Sequence, residues 1–336
     1  GIHSLTRQLS FRYIIKMKIS AYEKTNQSTS MWAYPLCLLV VLLCVHYYVG
    51  VLTWPIHGED AQRHFNTALG TSLLTSLFWL TIRIIHKNVA STLISILVAT
   101  NQLSHFTLHK NRLSHQFIHH VIVATGIGLC MPIFYMVAEN LISRIHEPEV
   151  FIIAITSILF WLLFVLFLLQ IFTNTFYLRR LVTRTISEPQ QELVLLKSVL
   201  SMALANSVMA LTGLAIAPVF WINKVVPLFD LIVLFMFFIS ASMYLLWPMV
   251  QLSRRIHQVS KIIVADQENE INTLIASKHV VLPPSVVSER IESLETKKEA
   301  LMLSLKKIRR LLVVLCLAPF PISWFLFKCV EFFWWR

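Results

Sequence analysis

The chain has 336 residues, of which 56% are hydrophobic and 14% charged, and its formal net charge is +12. Its mean hydropathy is +0.68, and long apolar stretches take up nearly all of its length, which excludes a sizeable soluble domain. The basic residues flank these stretches, where anionic lipid headgroups favour them, so the positive charge does not indicate a nucleic-acid partner. All five cysteines lie inside apolar stretches, which argues against a disulfide framework.

Seven apolar stretches are long enough to cross a bilayer as helices, which takes about 20 residues each. In chain order, we place the spanning helices over 31–54, 67–86, 117–139, 150–176, 195–221, 228–252 and 311–333. The clearest is 151–176, which contains no charged residue. The predicted fold is therefore an all-α, polytopic transmembrane helical bundle of about seven spanning helices, six of them within 31–252, whose environment is the lipid bilayer.

The basic residues predict the orientation of this bundle, because cytoplasmic loops are enriched in Lys and Arg. Of the 29 Lys and Arg residues, 24 fall in the N-terminal tail (1–30), around the connections after the second and fourth helices, and in the segment 253–310. We therefore expect a multi-pass cell-membrane protein with a cytoplasmic N-terminus and an outside C-terminus. A further apolar run, 89–102, is interpreted as a cytoplasmic continuation of the second helix, since another crossing would place the later basic loops outside.

Segment 253–310 is expected to form a cytoplasmic helical hairpin before the last transmembrane helix (311–336). Pro283 and Pro284 separate its two halves, since adjacent prolines stop a helix. After them, apolar residues recur at alternating steps of four and three, the spacing of a coiled-coil seam. The seam, which is interrupted only at Lys298, consists of Val287, Ile291, Leu294, Leu301, Leu305, Ile308 and Leu312. The first half carries a matching stripe, and we expect one continuous helix over 286–333.

A run of histidines near the third span has the spacing of metal ligands. Imidazoles at i and i+4 lie on one face of a helix and can hold a transition metal. The candidate ligands are His105, His109, His115, His119 and His120. The alternative is a polar stretch at the membrane surface, and no other cofactor is expected. His46 and His86 lie in or at the ends of spans, where a lone histidine typically hydrogen-bonds to a neighbouring helix but a facing pair could bind haem.

The last helix holds the candidate gate; the alternative is a proline kink that serves packing alone. Pro319 and Pro321 remove two backbone donors, and the freed carbonyls must be buried in protein or line a wet cavity. Ser323, Lys328 and Glu331 follow in the same helix and complete the candidate gate or pore element. Lys328 and Glu331 lie one turn apart, as a local ion pair or as the lining of an outer vestibule. Intramembrane charge is otherwise nearly absent, which disfavours a transporter or proton relay.

The layout resembles that of the insect-type odorant and gustatory receptors, with an inside N-terminus, an outside C-terminus and a cytoplasmic helix that runs into the last span. This resemblance is one of topology. The gustatory signature is Thr-Tyr, five residues, then Gln-Phe, whereas this chain has Ser323-Trp324, six residues, then Glu331-Phe332. The resemblance implies a ligand-gated cation channel.

No phosphate-binding loop, nucleophile elbow or pair of catalytic acids occurs in the sequence, so we expect no enzyme and name no catalytic residue. The sequence favours a channel-like or receptor-like membrane protein that forms a homo-oligomer or a membrane complex. Two alternatives remain open. One is a non-catalytic anchor or assembly subunit that recruits partners through 253–310, and the other is a histidine-rich membrane metalloenzyme.

Overall fold

The computed structural model describes residues 28–138, 140–224, 228–276 and 284–334, and the regular structure in these ranges is helical. Residues 1–27 of the predicted basic tail lie outside the described part, as does Pro283. Short 3₁₀ turns follow the second, third and fifth helices. The helices are α1 (Ser28–Tyr48), α2 (Glu59–Ala99), α3 (Phe106–Ala138), α4 (Pro148–Thr185), α5 (Pro189–Ile216), α6 (Leu228–Ala276), α7 (Pro284–Leu317) and α8 (Pro319–Trp334).

Seven helical segments in the described chain are long and apolar enough to cross a membrane, with α7 and α8 together forming the last of them. The predicted all-α bundle is therefore confirmed. Most helices are longer than the apolar stretches that predicted them. Proline begins α4 and α5 at Pro148 and Pro189, where its fixed φ suits the first helical turn. No proline lies in the polar ends of α2 and α6, so those helices continue well beyond the predicted spans.

Three helices are followed, two positions after their last helical residue, by a residue with a left-handed backbone. Gly50, Asn101 and Asn140 have φ values of 92°, 55° and 53°, and glycine and asparagine adopt this conformation most readily. At the end of α2, Asn101 N donates to Val98 O (3.2 Å) and the next residue's N donates to Leu97 O (2.8 Å). This is the Schellman arrangement, and the bonds after α1 and α3 follow the same pattern. It explains why α1 ends at Tyr48 rather than at the predicted residue 54.

The second helix lies at the centre of the bundle. It packs against α1, α4 and α5, and its most apolar window is 67% buried, the largest value among the seven spans. Beyond the predicted span, the helix continues through the run 89–102 as far as Ala99. Val89, Leu93, Ile96 and Leu97 are all buried there. The prediction that this run continues the second helix and packs against neighbours is confirmed.

Among the described helices, α3 and α4 share the most extensive contact. Ala124, Gly128 and Pro132 follow one another at steps of four along α3, and all three are buried. Small residues at this spacing let two helix backbones approach closely. A Cβ atom built on Gly128 would lie 3.0 Å from Leu162 N and 3.1 Å from Ile158 O. The α3–α4 contact therefore depends on the missing side chain at Gly128.

Helices α6 and α7 pack side by side as the predicted hairpin. The α6 stripe is buried, with Leu252, Ile256 and Val259 each 0% exposed. Two ion pairs cross between the helices at the exposed end: Arg290–Glu270 at 2.9 Å and Lys298–Glu268. All the predicted seam positions of α7 are buried or half-buried. The expected continuous helix over 286–333 is wrong, however, because it is interrupted at Ala318.

Candidate functional site

The interruption in the last span lies where the two prolines are. Ala318 N donates to Val314 O (2.8 Å), and Ile322 N donates to Ala318 O (3.2 Å), so helical hydrogen bonding continues on both sides. Pro319 and Pro321 have no N–H, and the carbonyls one turn before them lose their usual donor. The break between α7 and α8 is therefore local and is caused by the proline pair.

A cavity of about 170 Å³ lies against this break. Four of its lining residues are on α6, two are at the end of α7 and one is in the first turn of α8. The lining is Phe235, Phe238, Ile239, Ser242, Cys316, Leu317 and Phe320. The Phe320 ring meets the Phe235 and Phe238 rings edge-on, with centroids 4.8 Å and 6.3 Å apart, a favourable aromatic geometry. The cavity wall therefore joins α6 to both sides of the break.

The remaining gate candidates lie on two sides of α8. Ser323 is buried, and its hydroxyl has no hydrogen-bond partner among the described residues. Lys328 Nζ donates to Glu331 Oε2 at 2.6 Å, and the same Nζ lies 5.3 Å from the centroid of the Trp324 ring. The side chains of Lys328 and Glu331 are 52% and 31% exposed. The helix thus turns Ser323 towards the protein and the ion pair outwards.

A buried polar centre joins α2, α3 and α4. Gln170 Oε1 accepts from His86 Nε2 (3.0 Å) and from Asn174 Nδ2 (3.0 Å), while Gln170 Nε2 donates to His120 Nδ1 (2.8 Å). The amide oxygen can only accept and the amide nitrogen can only donate, so His86 carries a proton on Nε2, and Nδ1 of His120 is unprotonated. All four side chains are at most 8% exposed. The sequence analysis did not identify Gln170, although it and Asn174 are the two amides of the clearest span, one turn apart.

The five candidate metal ligands do not come together. His105, His115 and His119 are exposed, His120 bonds to Gln170, and His109 Nδ1 lies 2.6 Å from the hydroxyl of Tyr177. Within the described ranges, no group of three or more His, Cys, Asp or Glu side chains has a geometry that could hold a metal ion. The metal-site hypothesis gains no support from this geometry.

The histidines of the first two spans each bond to a neighbouring helix rather than to each other. Thr156 Oγ1 on α4 lies 3.3 Å from His46 Nε2, and His86 belongs to the polar centre around Gln170. This is the interhelical role that a lone membrane histidine typically has.

One buried ion pair ties the hairpin to the rest of the bundle. Arg255 on α6 donates from Nε and Nη2 to the two carboxylate oxygens of Glu192 on α5, at 2.9 Å and 3.2 Å. The Glu192 side chain is only 8% exposed and that of Arg255 28%. Such a two-pronged arrangement fixes the orientation of both side chains. The sequence analysis missed this pair because its two residues are far apart in the chain.

No family model, no curated protein and no solved structure matches this chain. Its functional assignment therefore depends on the residues and geometry described above.

Proposed function

We propose that this chain is a channel-like membrane subunit that forms an ion path with other copies of itself, and that α8 lines the path. The observation that carries this proposal is how little the last span packs against its own chain. Its most apolar window is 11% buried, whereas the other six spans range from 17% to 67%. A span so weakly packed in the single chain is available to contact a second copy.

The outward ion pair of α8 favours protein or water over lipid as its neighbour. Lys328 and Glu331 lie on an otherwise apolar helix and are both partly exposed. A charged side chain that faces hydrocarbon is costly and typically marks the lining of a cavity or a pathway. We therefore infer that this face of α8 meets water at the outer end of a path.

One stripe of α8 points directly away from the rest of the chain. Pro321, Phe325, Lys328 and Phe332 follow at steps of four, three and four, and all are exposed, so they share one helix face. The buried residues Pro319 and Ser323 lie on the opposite side. Phe325 and Phe332 lie on either side of the one cation, Lys328, and such a largely apolar stripe is suited to a narrow hydrophobic gate, which closes by excluding water. This stripe is the proposed lining.

Ion flux through reconstituted protein tests the proposal, with a matched control in the same chain. Lys328→Gln together with Glu331→Gln removes the ion pair of α8, which has i,i+3 spacing. Arg144→Gln with Glu147→Gln removes a second i,i+3 pair, at 2.8 Å, between α3 and α4. We expect flux in proteoliposomes from the unmodified chain, changed ion selectivity for the α8 double variant, and no change for the control. The absence of flux under every applied voltage and ligand, or equal effects of both double variants, contradicts the proposal.

A second candidate function is supported by the hairpin. Ile262, Ile275 and Leu303 are 48%, 58% and 68% exposed in a segment that is rich in charged residues, and exposed apolar side chains of this kind mark protein contacts. If the contact is with a different protein, the chain is an anchor or assembly subunit. Light scattering on purified protein distinguishes the two functions. An oligomer that dissociates when Leu303→Glu is introduced supports the channel-like subunit, whereas a monomer supports the anchor.

A further inference from the structure

The cavity at the break has the size and lining of a binding site for a small apolar molecule. Its volume is about 170 Å³, and apolar cavities of roughly 150 Å³ in other proteins stay dry and bind benzene or xenon. None of the seven lining residues is charged, and three are phenylalanines. The Ser242 hydroxyl is the one strong hydrogen-bonding group of the lining side chains. This lining suits an uncharged ligand of about the size of benzene, with at most one polar group.

The mouth of the cavity opens towards the outer surface of the bundle. Leu317 and Phe235 at the mouth are 61% and 40% exposed, whereas Phe238 and Ser242 at the back are 2% and 1% exposed. Around the mouth, the surface of α7 is apolar, with Val314 60% exposed. In the single chain, an exposed apolar surface on a spanning helix meets lipid. A ligand therefore reaches the cavity from the bilayer and must itself be soluble in lipid.

The cavity also touches both sides of the helix break. Cys316 and Leu317 precede Ala318, and Phe320 follows it. A bound molecule contacts α7, α8 and α6 at once, so it can favour one angle between α7 and α8 over another. We propose that the cavity is a site for a lipid-soluble, uncharged small molecule that acts on the angle of the last span. Binding at this site does not require that the chain conducts ions.

Photolabelling tests this site without any measurement of flux. Full-length protein in nanodiscs is irradiated with 3-phenyl-3H-diazirine, with and without benzene as competitor, and the labelled residues are mapped by mass spectrometry. Labels at Phe238 and Cys316 report the cavity. Labels at Phe134, which is 76% exposed on α3, report the lipid-facing surface. With benzene at ten times its dissociation constant, cavity labelling falls by about tenfold, while labelling at Phe134 changes little.

Two tryptophan variants provide the structural control. Leu317→Trp places a large ring at the mouth, and Val314→Trp places the same ring one turn away at a position equally exposed, 60% against 61%. We expect Leu317→Trp to abolish the benzene-sensitive labelling and Val314→Trp to retain it. If the Leu317→Trp variant does not fold, Leu317→Phe replaces it, because the smaller phenylalanine ring also occupies the mouth.

Two results would contradict the proposed binding site. One is labelling at Phe238 and Cys316 that benzene reduces no more than labelling at Phe134. The other is equal benzene-sensitive labelling in the Leu317→Trp and Val314→Trp variants. Since neither readout involves ion flux, failure of this site and failure of the channel-like function are distinguishable.

Discussion

The close approach of α3 and α4 predicts opposite results for two glycines of the same helix. Gly126 and Gly128 are two residues apart on α3, and a Cβ atom at Gly126 meets nothing within 4 Å. At Gly128 the same atom lies 3.0 Å from Leu162 N and 3.1 Å from Ile158 O, where ordinary contact is 3.4–4 Å. Both neighbours are backbone atoms, so they cannot move aside as a flexible side chain would. Alanine at Gly128 must push the two helices apart.

The magnitude follows from comparing the two substitutions. Replacing glycine by alanine inside a helix stabilises it by roughly 0.8–1 kcal/mol at either position. Overpacking a close contact costs typically about 1–3 kcal/mol, and this applies to Gly128 alone. The helix-propensity gain cancels in the difference. We therefore expect the free energy of unfolding of Gly128→Ala to lie about 1–3 kcal/mol below that of Gly126→Ala.

Unfolding in detergent micelles measures this difference, with both variants purified and denatured in parallel. Size-exclusion profiles confirm that each variant is folded before the titration. If Gly128→Ala is as stable as Gly126→Ala, the α3–α4 backbone contact does not exist as described, and the role of the small-residue stripe has to be abandoned.

Two further substitutions test the buried polar contacts. Gln170→Leu removes the hydrogen bonds to His86 and His120. At roughly 1–3 kcal/mol for each of these two buried groups, we expect the unfolding free energy to fall by about 2–6 kcal/mol. Arg255→Gln leaves the carboxylate of Glu192 buried without its counter-ion. Loss of one partner of a fully buried pair costs about 3–5 kcal/mol, and the partial exposure of Arg255 lowers our expectation to about 2 kcal/mol. Unfolding titrations measure both.

Each of these variants has a natural control. Arg290→Gln breaks the exposed pair with Glu270, and we expect it to lower the free energy of unfolding by at most about 1 kcal/mol. If Arg255→Gln and Arg290→Gln lower the free energy of unfolding equally, the account of the buried pair is contradicted. Gln191→Leu removes an exposed amide that donates to Ala99 O. If Gln170→Leu is no more destabilising than Gln191→Leu, the polar centre does not stabilise the bundle.

Hydropathy and charge predicted the helical class, the seven spans and the hairpin, because each depends on local composition or on a short repeat. The stripe from Leu252 to Ile263 is an example: its spacing alone indicates a buried face, and the structure buries it. The run 89–102 was likewise interpreted correctly as part of the second helix. Helix ends were less predictable. The end of α1 depends on the left-handed conformation of Gly50, which hydropathy does not report.

The contacts between distant parts of the chain could not be predicted in this way. The pair Arg255–Glu192 and the group around Gln170 depend on which helices become neighbours and on how each helix is rotated. The cavity is a further example, since it forms where α6 packs against the break between α7 and α8. The two prolines did predict the place of that break, but not what lies against it.

Thiol accessibility along α8 tests the proposed path most directly. In a chain whose five cysteines are replaced by alanine, single cysteines are placed at Phe325 and Lys328 on the outward stripe and at Leu326 and Val330 on the opposite side of α8. A charged, membrane-impermeant thiol reagent is then added to reconstituted protein. The account predicts modification at 325 and 328 and little at 326 and 330, because one face of α8 meets water. Equal protection of all four positions would contradict it, since α8 would then be surrounded by lipid and protein alone.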